Sequence, residues 1–118
     1  ERDLYVLMAE LATDPSKHDK LKPGKSKVND EMITFLENFI DEITSNFELP
    51  KEFVLPGQNR ISALLDISRT VVRRAERRAI ACDIEGSLAV PYLNRLSDLL
   101  WAMARWQEGE SITSRSVK

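Results

Sequence analysis

The sequence predicts an all-α protein, an antiparallel bundle of four helices, on three observations. Apolar residues recur at helical spacing in four separate stretches. The breaks between them hold the Pro, Gly and Ser residues that stop helices. No stretch offers the period-two alternation of a strand in competition. At 118 residues the chain has room for one core but not two, so residues 1–118 are expected to form a single helical-bundle domain.

The first helix runs from the start of the chain to about Ala12, with Leu4, Tyr5, Met8, Leu11 and Ala12 on one face. "ERDLYVLMAEL" is already at helical spacing and has no capping residue ahead of it, so further residues are expected upstream. "TDPSKHDKLKPGKSK" holds five lysines among Pro, Gly and Ser and reads as a mobile polar loop, with His18 a solvated bystander. Asn29 or Asp30 can cap a second helix whose apolar stripe is Met32, Phe35, Leu36, Phe39, Ile40 and Ile43. Two prolines and a glycine in "FELPKEFVLPGQN" end it in an ordered loop. The third helix is expected from near Asn59 to Cys82 or Asp83, where Gly86 breaks the pattern. The fourth runs from near Leu88 to about Trp106, with Pro91 in a first turn that tolerates a missing N–H. Residues 108–118 read as a frayed polar tail.

Composition excludes several function classes. With 42% hydrophobic and 31% charged residues, this is an ordinary globular chain. No apolar run approaches the roughly 18 residues of a membrane span, so no membrane partner is expected. Charges interrupt the first helix too early for a signal peptide. A single cysteine, Cys82, excludes an internal disulfide and reads as a small packing residue, which suits a prokaryotic cytoplasm or an organelle matrix. The net charge of −2 and pI near 5.5 argue against bulk nucleic-acid binding.

Against that acidic background, Ser68–Arg78 packs five arginines and one glutamate into eleven residues. Stepping about 100° per residue gathers Ile61, Leu64, Leu65, Ser68, Val71, Val72, Ala75 and Ala79 into one sector, the expected core stripe. Asp66, Arg69, Arg73, Glu76 and Arg77 fall nearly opposite, with Arg74 and Arg78 on the flank. This seam is either a solvated surface laced by pairs such as Arg69–Asp66 and Arg73–Glu76, or a face turned to something anionic. The helix contains no lysine, and arginine is preferred where phosphate or carboxylate is gripped by a planar fork. On the fourth helix Leu93, Leu96, Ser97, Leu100, Met103 and Ala104 make the core stripe. Asn94, Asp98, Trp101 and Arg105 make a second line, suited to a nucleotide or, for Trp101, to burial against another helix. If these two helices pack antiparallel, both seams border one cleft or one subunit interface.

"FVLPG", "ISRTVVRRAERR" and "YLNRLSDLLWAMAR" together resemble the C-terminal part of the PduO-type ATP:cob(I)alamin adenosyltransferases. The resemblance extends to the Arg2–Ala12 and Leu36–Asp41 helices and so covers most of the chain. It implies a five-helix bundle in the complete family fold, a homotrimer with sites at subunit interfaces, and transfer of the 5′-deoxyadenosyl group of ATP to the cobalt of cob(I)alamin with Mg2+ present. It further implies that Arg73, Arg74, Glu76, Arg77 and Asn94 belong to the ATP site. Arg69 and Arg73 would be the catalytic residues, Arg69 paired with an aspartate of a neighbouring subunit. Phe53 would stand in the corrinoid pocket, displacing the lower axial base. No protein metal ligand is implied. The family's N-terminal phosphate-binding segment has no counterpart in these residues. Gln58 stands where many relatives have glycine, and Asp66 where they often have histidine. The competing expectations are a non-catalytic module that binds an acidic partner or RNA through the arginines, and a seam that forms only inter-subunit ion pairs.

Overall fold

Two of the four helices start where an asparagine side chain satisfies a free N–H group of the first turn. The computed structural model describes residues 1–46, 54–82 and 84–109, which hold α1 (Arg2–Ala12), α2 (Asp30–Thr44), α3 (Arg60–Cys82) and α4 (Ala89–Glu108). Asn29 caps α2, its Oδ1 accepting from the Met32 N–H at 2.9 Å. Asn59 opens α3 with a reciprocal pair: its Oδ1 accepts from the Ser62 N–H at 2.8 Å, and Ser62 Oγ accepts from the Asn59 N–H at 3.2 Å. At the end of α4, Gly109 adopts φ 74 and donates its N–H to the Arg105 and Trp106 carbonyls. That left-handed turn is open to glycine at little cost.

Two connecting segments differ from expectation. The lysine-rich stretch is not a featureless loop: Pro15–Lys20 forms a 3-10 helix, and Lys22–Lys27 a turn closed by Gly24 N–H donating to the Lys27 carbonyl at 2.7 Å. His18 is half-buried, its Nε2 bonded to the Thr13 carbonyl at 3.0 Å just beyond the end of α1. Glu108, expected to begin a frayed tail, is the last helical residue; residues 110–118 lie outside the described set.

The helices alternate in direction. Contacts between α3 and α4 pair Asn59 with Gln107, Asp66 with Arg105, and Glu76 with Asn94, so one chain number falls as the other rises. The C-terminal ends of α2 and α4 lie together around Phe39, Ile43, Met103 and Trp106. Helix α4 is the hub, packing on α1, α2 and α3, and it buries Ala89, Tyr92, Leu93, Leu99, Ala102 and Ala104. Val6 and Leu7 of α1, Met32 and Leu36 of α2, and Ala79 of α3 close on it. Each large apolar side chain taken out of water contributes roughly 1.5–3 kcal/mol. Among the described residues no helix is long and apolar enough to cross a membrane.

The rotation of α3 corrects the expected core stripe. Its buried side is turned toward the polar seam, with Ser62 and Ala79 buried and Asp66, Arg69 and Glu76 half-buried. Ile61, Leu64 and Val71, assigned to the core from their spacing, are exposed beside Ile67, which is 59% exposed. Phe35 and Phe39 of α2 are likewise exposed, their ring centroids 6.2 Å apart. Cys82 is exposed rather than packed, its thiol donating to the Arg78 carbonyl at 3.5 Å.

Candidate functional site

Antiparallel packing brings the two polar seams face to face, and one carboxylate fixes the end of that pairing. Glu10 of α1 is 0% exposed. Its Oε1 accepts from the Val28 N–H at 2.8 Å, and its Oε2 from the Ser87 hydroxyl in the α3–α4 turn. Ser87 Oγ in turn accepts from the Ala89 N–H at 3.2 Å. One buried group thus ties α1, the approach to α2 and the start of α4, so α4 enters the bundle at a fixed height beside α3. Nothing in the local pattern marks Glu10, because its partners lie 18 and 77 residues away.

Above that clip a polar chain crosses from α3 to α4. Asn94 Nδ2 donates to Glu76 Oε2 at 3.1 Å, and Asn94 Oδ1 accepts from Arg95 Nη2 at 2.5 Å. Arg95 also pairs with Asp98 at 2.7 Å. Sequence reading singled out Glu76 and Asn94 but passed over Arg95, whose i, i+3 spacing to Asp98 was the available signal. With both ends of its amide engaged, Asn94 has a defined orientation.

The arginines divide into two kinds. Arg73, Arg74, Arg77 and Arg78 are exposed. None has a carboxylate within ion-pair distance among the described residues, so the expected Arg69–Asp66 and Arg73–Glu76 pairs do not form. Asp66 pairs instead with Arg105 at 2.6 Å, and Glu76 with Asn94. Arg69 is the second kind. It is half-buried against α4, and its Nε is buried with no hydrogen-bond partner among the described residues. Burial, then the adjacent Arg73 guanidinium, push its pKa below the ordinary arginine value, while Asp98 and Asp66 pull the other way. A guanidinium does not surrender its proton in a protein, so the shift records the cost of holding this charge half-buried beside a second cation.

The structure therefore brings Arg69, Glu76 and Asn94 together at the α3–α4 seam and aligns Arg73, Arg74 and Arg77 along the same helix. Concavities of about 460, 240 and 260 Å³ lie elsewhere, at the α1–α2 start, beside Ala79 and Ser87, and between Phe39 and Trp106. Phe53 lies outside the described residues. Trp101 is half-buried, with the Arg105 guanidinium 5.6 Å from its ring centroid. Among the described residues no cluster of three His, Cys, Asp or Glu side chains has metal-binding geometry.

Comparison with known proteins gives this arrangement a context. The family model described as cobalamin adenosyltransferase matches residues 1–107. A corrinoid adenosyltransferase of Citrobacter freundii is 42% identical over 111 residues, covering 92% of this chain and 61% of that protein. One from Mycobacterium tuberculosis H37Rv is 41% identical over 110 residues, covering 89% of this chain and 56% of the relative. Among solved structures, a variant PduO-type ATP:corrinoid adenosyltransferase from Lactobacillus reuteri, complexed with cobalamin and ATP, superposes with a TM-score of 0.80 at 27% identity. That match covers 98% of this chain and 64% of the other. The chain thus spans less than two thirds of the length of each of these relatives.

Proposed function

Since this chain belongs to the cobalamin adenosyltransferase family, we propose that it transfers the 5′-deoxyadenosyl group of ATP to the cobalt of cob(I)alamin. The cob(I) lone pair attacks C5′, a Co–C bond forms, and the C5′–O bond breaks with its electron pair leaving on inorganic triphosphate. The observation that carries this reading is the row of exposed arginines, without carboxylate partners among the described residues, beside the oriented Asn94–Glu76 pair.

The nucleophile belongs to the corrinoid, so this chain's share is positioning and electrostatics. Arg73, Arg74 and Arg77 hold the polyphosphate, and Arg73 stabilises the charge that grows on the leaving triphosphate. Glu76 steadies the Asn94 amide, which hydrogen-bonds the nucleotide. The donor set suits Mg2+ arriving on the phosphates: one carboxylate, Glu76, stands among the arginines, and magnesium is ordinarily held by one or two carboxylates plus substrate phosphates. When bound, the ion neutralises phosphate charge. Phe53 occupies the corrinoid side, where an apolar wedge against the lower axial base eases reduction to cob(I).

The homotrimer is part of the proposal. Ile61, Leu64, Ile67 and Val71 form an exposed apolar face on the helix that carries the arginines, and Arg69 Nε has no hydrogen-bond partner among the described residues. An aspartate from a neighbouring subunit beside Arg69 would satisfy it, and the apposed subunit would wall the arginine row into a pocket. The setting proposed is a prokaryotic cytoplasm.

The exposure of Arg73, Arg74, Arg77 and Arg78 favours one second reading, a non-catalytic module that binds RNA or an acidic partner. The deciding experiment gives the full-length protein MgATP and chemically reduced cobalamin. Arg73→Ala is expected to cut transfer well over tenfold while the assembly stays folded. Undiminished turnover would reject the assignment, and an RNA mobility shift that fades steeply with salt would favour the second reading.

A further inference from the structure

At the end of the bundle away from the Glu10 clip, the first turns of α3 and the last turns of α4 share a buried charge network. Arg105 is 2% exposed. Its Nη2 donates to Asp66 Oδ2 at 2.6 Å, its Nε to Glu108 Oε1 at 2.8 Å, and its guanidinium lies against the Trp101 ring. The Glu108 side chain is 0% exposed, and its second oxygen accepts from the Gln58 N–H at 3.4 Å. Alongside, Asn59 Nδ2 donates to the Gln107 carbonyl at 3.3 Å. Arg69 lies close by, within electrostatic reach of Asp66 and Arg105.

Apolar packing alone lets neighbouring helices slide by a fraction of a turn, whereas a buried charge pair is satisfied at one register only. This network sits where α3 receives the loop that follows Phe53. We infer that Arg105 and Glu108 are positioning residues that lock the register of α3 against α4, and so set the corrinoid side of the site relative to the nucleotide side. The role rests on the adenosyl-transfer reading given above. It separates two groups of residues on the same helices. Arg73, Arg77 and Asn94 grip the nucleotide, whereas Asp66, Arg105 and Glu108 touch no substrate and act through the loop that Glu108 holds at Gln58.

The test uses Glu108→Gln in the full-length protein, with Arg105→Lys as a second variant. A glutamine keeps the size of the side chain but has one accepting oxygen for two donors. In the ligand-free protein, hydrogen exchange of the Gln58 amide is expected to rise while amides in the middle of α3 and α4 stay protected. In turnover, kcat/KM for reduced cobalamin is expected to fall about tenfold or more while KM for ATP moves less than about twofold. Unchanged Gln58 exchange would overturn the lock. Equal losses for both substrates would reduce it to general stability and overturn the positioning role. A wild-type protein that forms no adenosylcobalamin would strike at the proposed function instead, a result distinct from either.

Discussion

Removing the Glu10 carboxylate is expected to be among the most damaging single changes to this bundle. Glu10→Ala deletes two charge-assisted hydrogen bonds and strands the N–H of Val28, a residue 2% exposed. Bonds to a charged group contribute about 1.5–3 kcal/mol each, and a stranded buried donor costs about 1–3 kcal/mol. Relief of carboxylate desolvation offsets part of this, leaving a net loss of about 3 kcal/mol. Glu10→Gln keeps one accepting oxygen and should cost about 1–2 kcal/mol. At about 4 °C per kcal/mol for a domain of this size, the alanine variant should melt about 12 °C lower, read by circular dichroism. Ser87→Ala removes the partner of one bond, so the double variant should fall short of the summed single losses by about 1 kcal/mol. If Glu10→Ala costs under about 1 kcal/mol, or Glu10→Gln costs as much, the carboxylate is not the clip described here.

Tyr92 is pushed up from 10.0 to about 12, chiefly by burial and secondarily by Asp3. Its folded pKa lies above the unfolded one, so this stability is complete below pH 10 and drains away as pH rises toward 12; denaturant titrations should lose on the order of 2 kcal/mol across that window, and Tyr92→Phe should flatten the loss. Ile67→Asp sets a charge on the exposed apolar face of α3 and is expected to dissociate the proposed trimer in sedimentation velocity; an unchanged assembly would move the interface elsewhere. Phe53→Ala is expected to lower transfer coupled to cob(II)alamin reduction more than it lowers ATP binding, and equal losses would count against a corrinoid-side role.

Much of the architecture was legible because helix ends are local. Asn29 and Asn59 each stand one residue ahead of the helix they cap, and Gly86 stands between the end of α3 at Cys82 and the start of α4 at Ala89. The facing of α3 was legible only in part: of the expected stripe, Ala79 is buried and Val72 and Ala75 pack against the core. Periodicity weights Ile61, Leu64 and Val71 as core, yet α3 meets α4 through Ser62, Asp66, Arg69 and Glu76, whose partners belong to another helix. A hydrophobic sector reports every surface a helix covers, including surfaces this chain does not itself supply. Glu10 and Glu108 carry no local signal for the same reason: only the fold brings Val28, Ser87 and Gln58 to them. In the site, the surplus of arginine over carboxylate was visible in the sequence, and the redirection of Asp66 to Arg105 and of Glu76 to Asn94 was not.

The central claim is that guanidinium groups on α3 hold a nucleotide polyphosphate for attack by reduced cobalt. Its most direct measurement is anaerobic spectroscopy of the full-length protein with MgATP and chemically reduced cobalamin, comparing wild type with Arg73→Ala. The account predicts adenosylcobalamin and triphosphate from the wild type and a rate lower by more than about tenfold from the variant. Equal rates from the two proteins, or no adenosylcobalamin from the wild type, would contradict it.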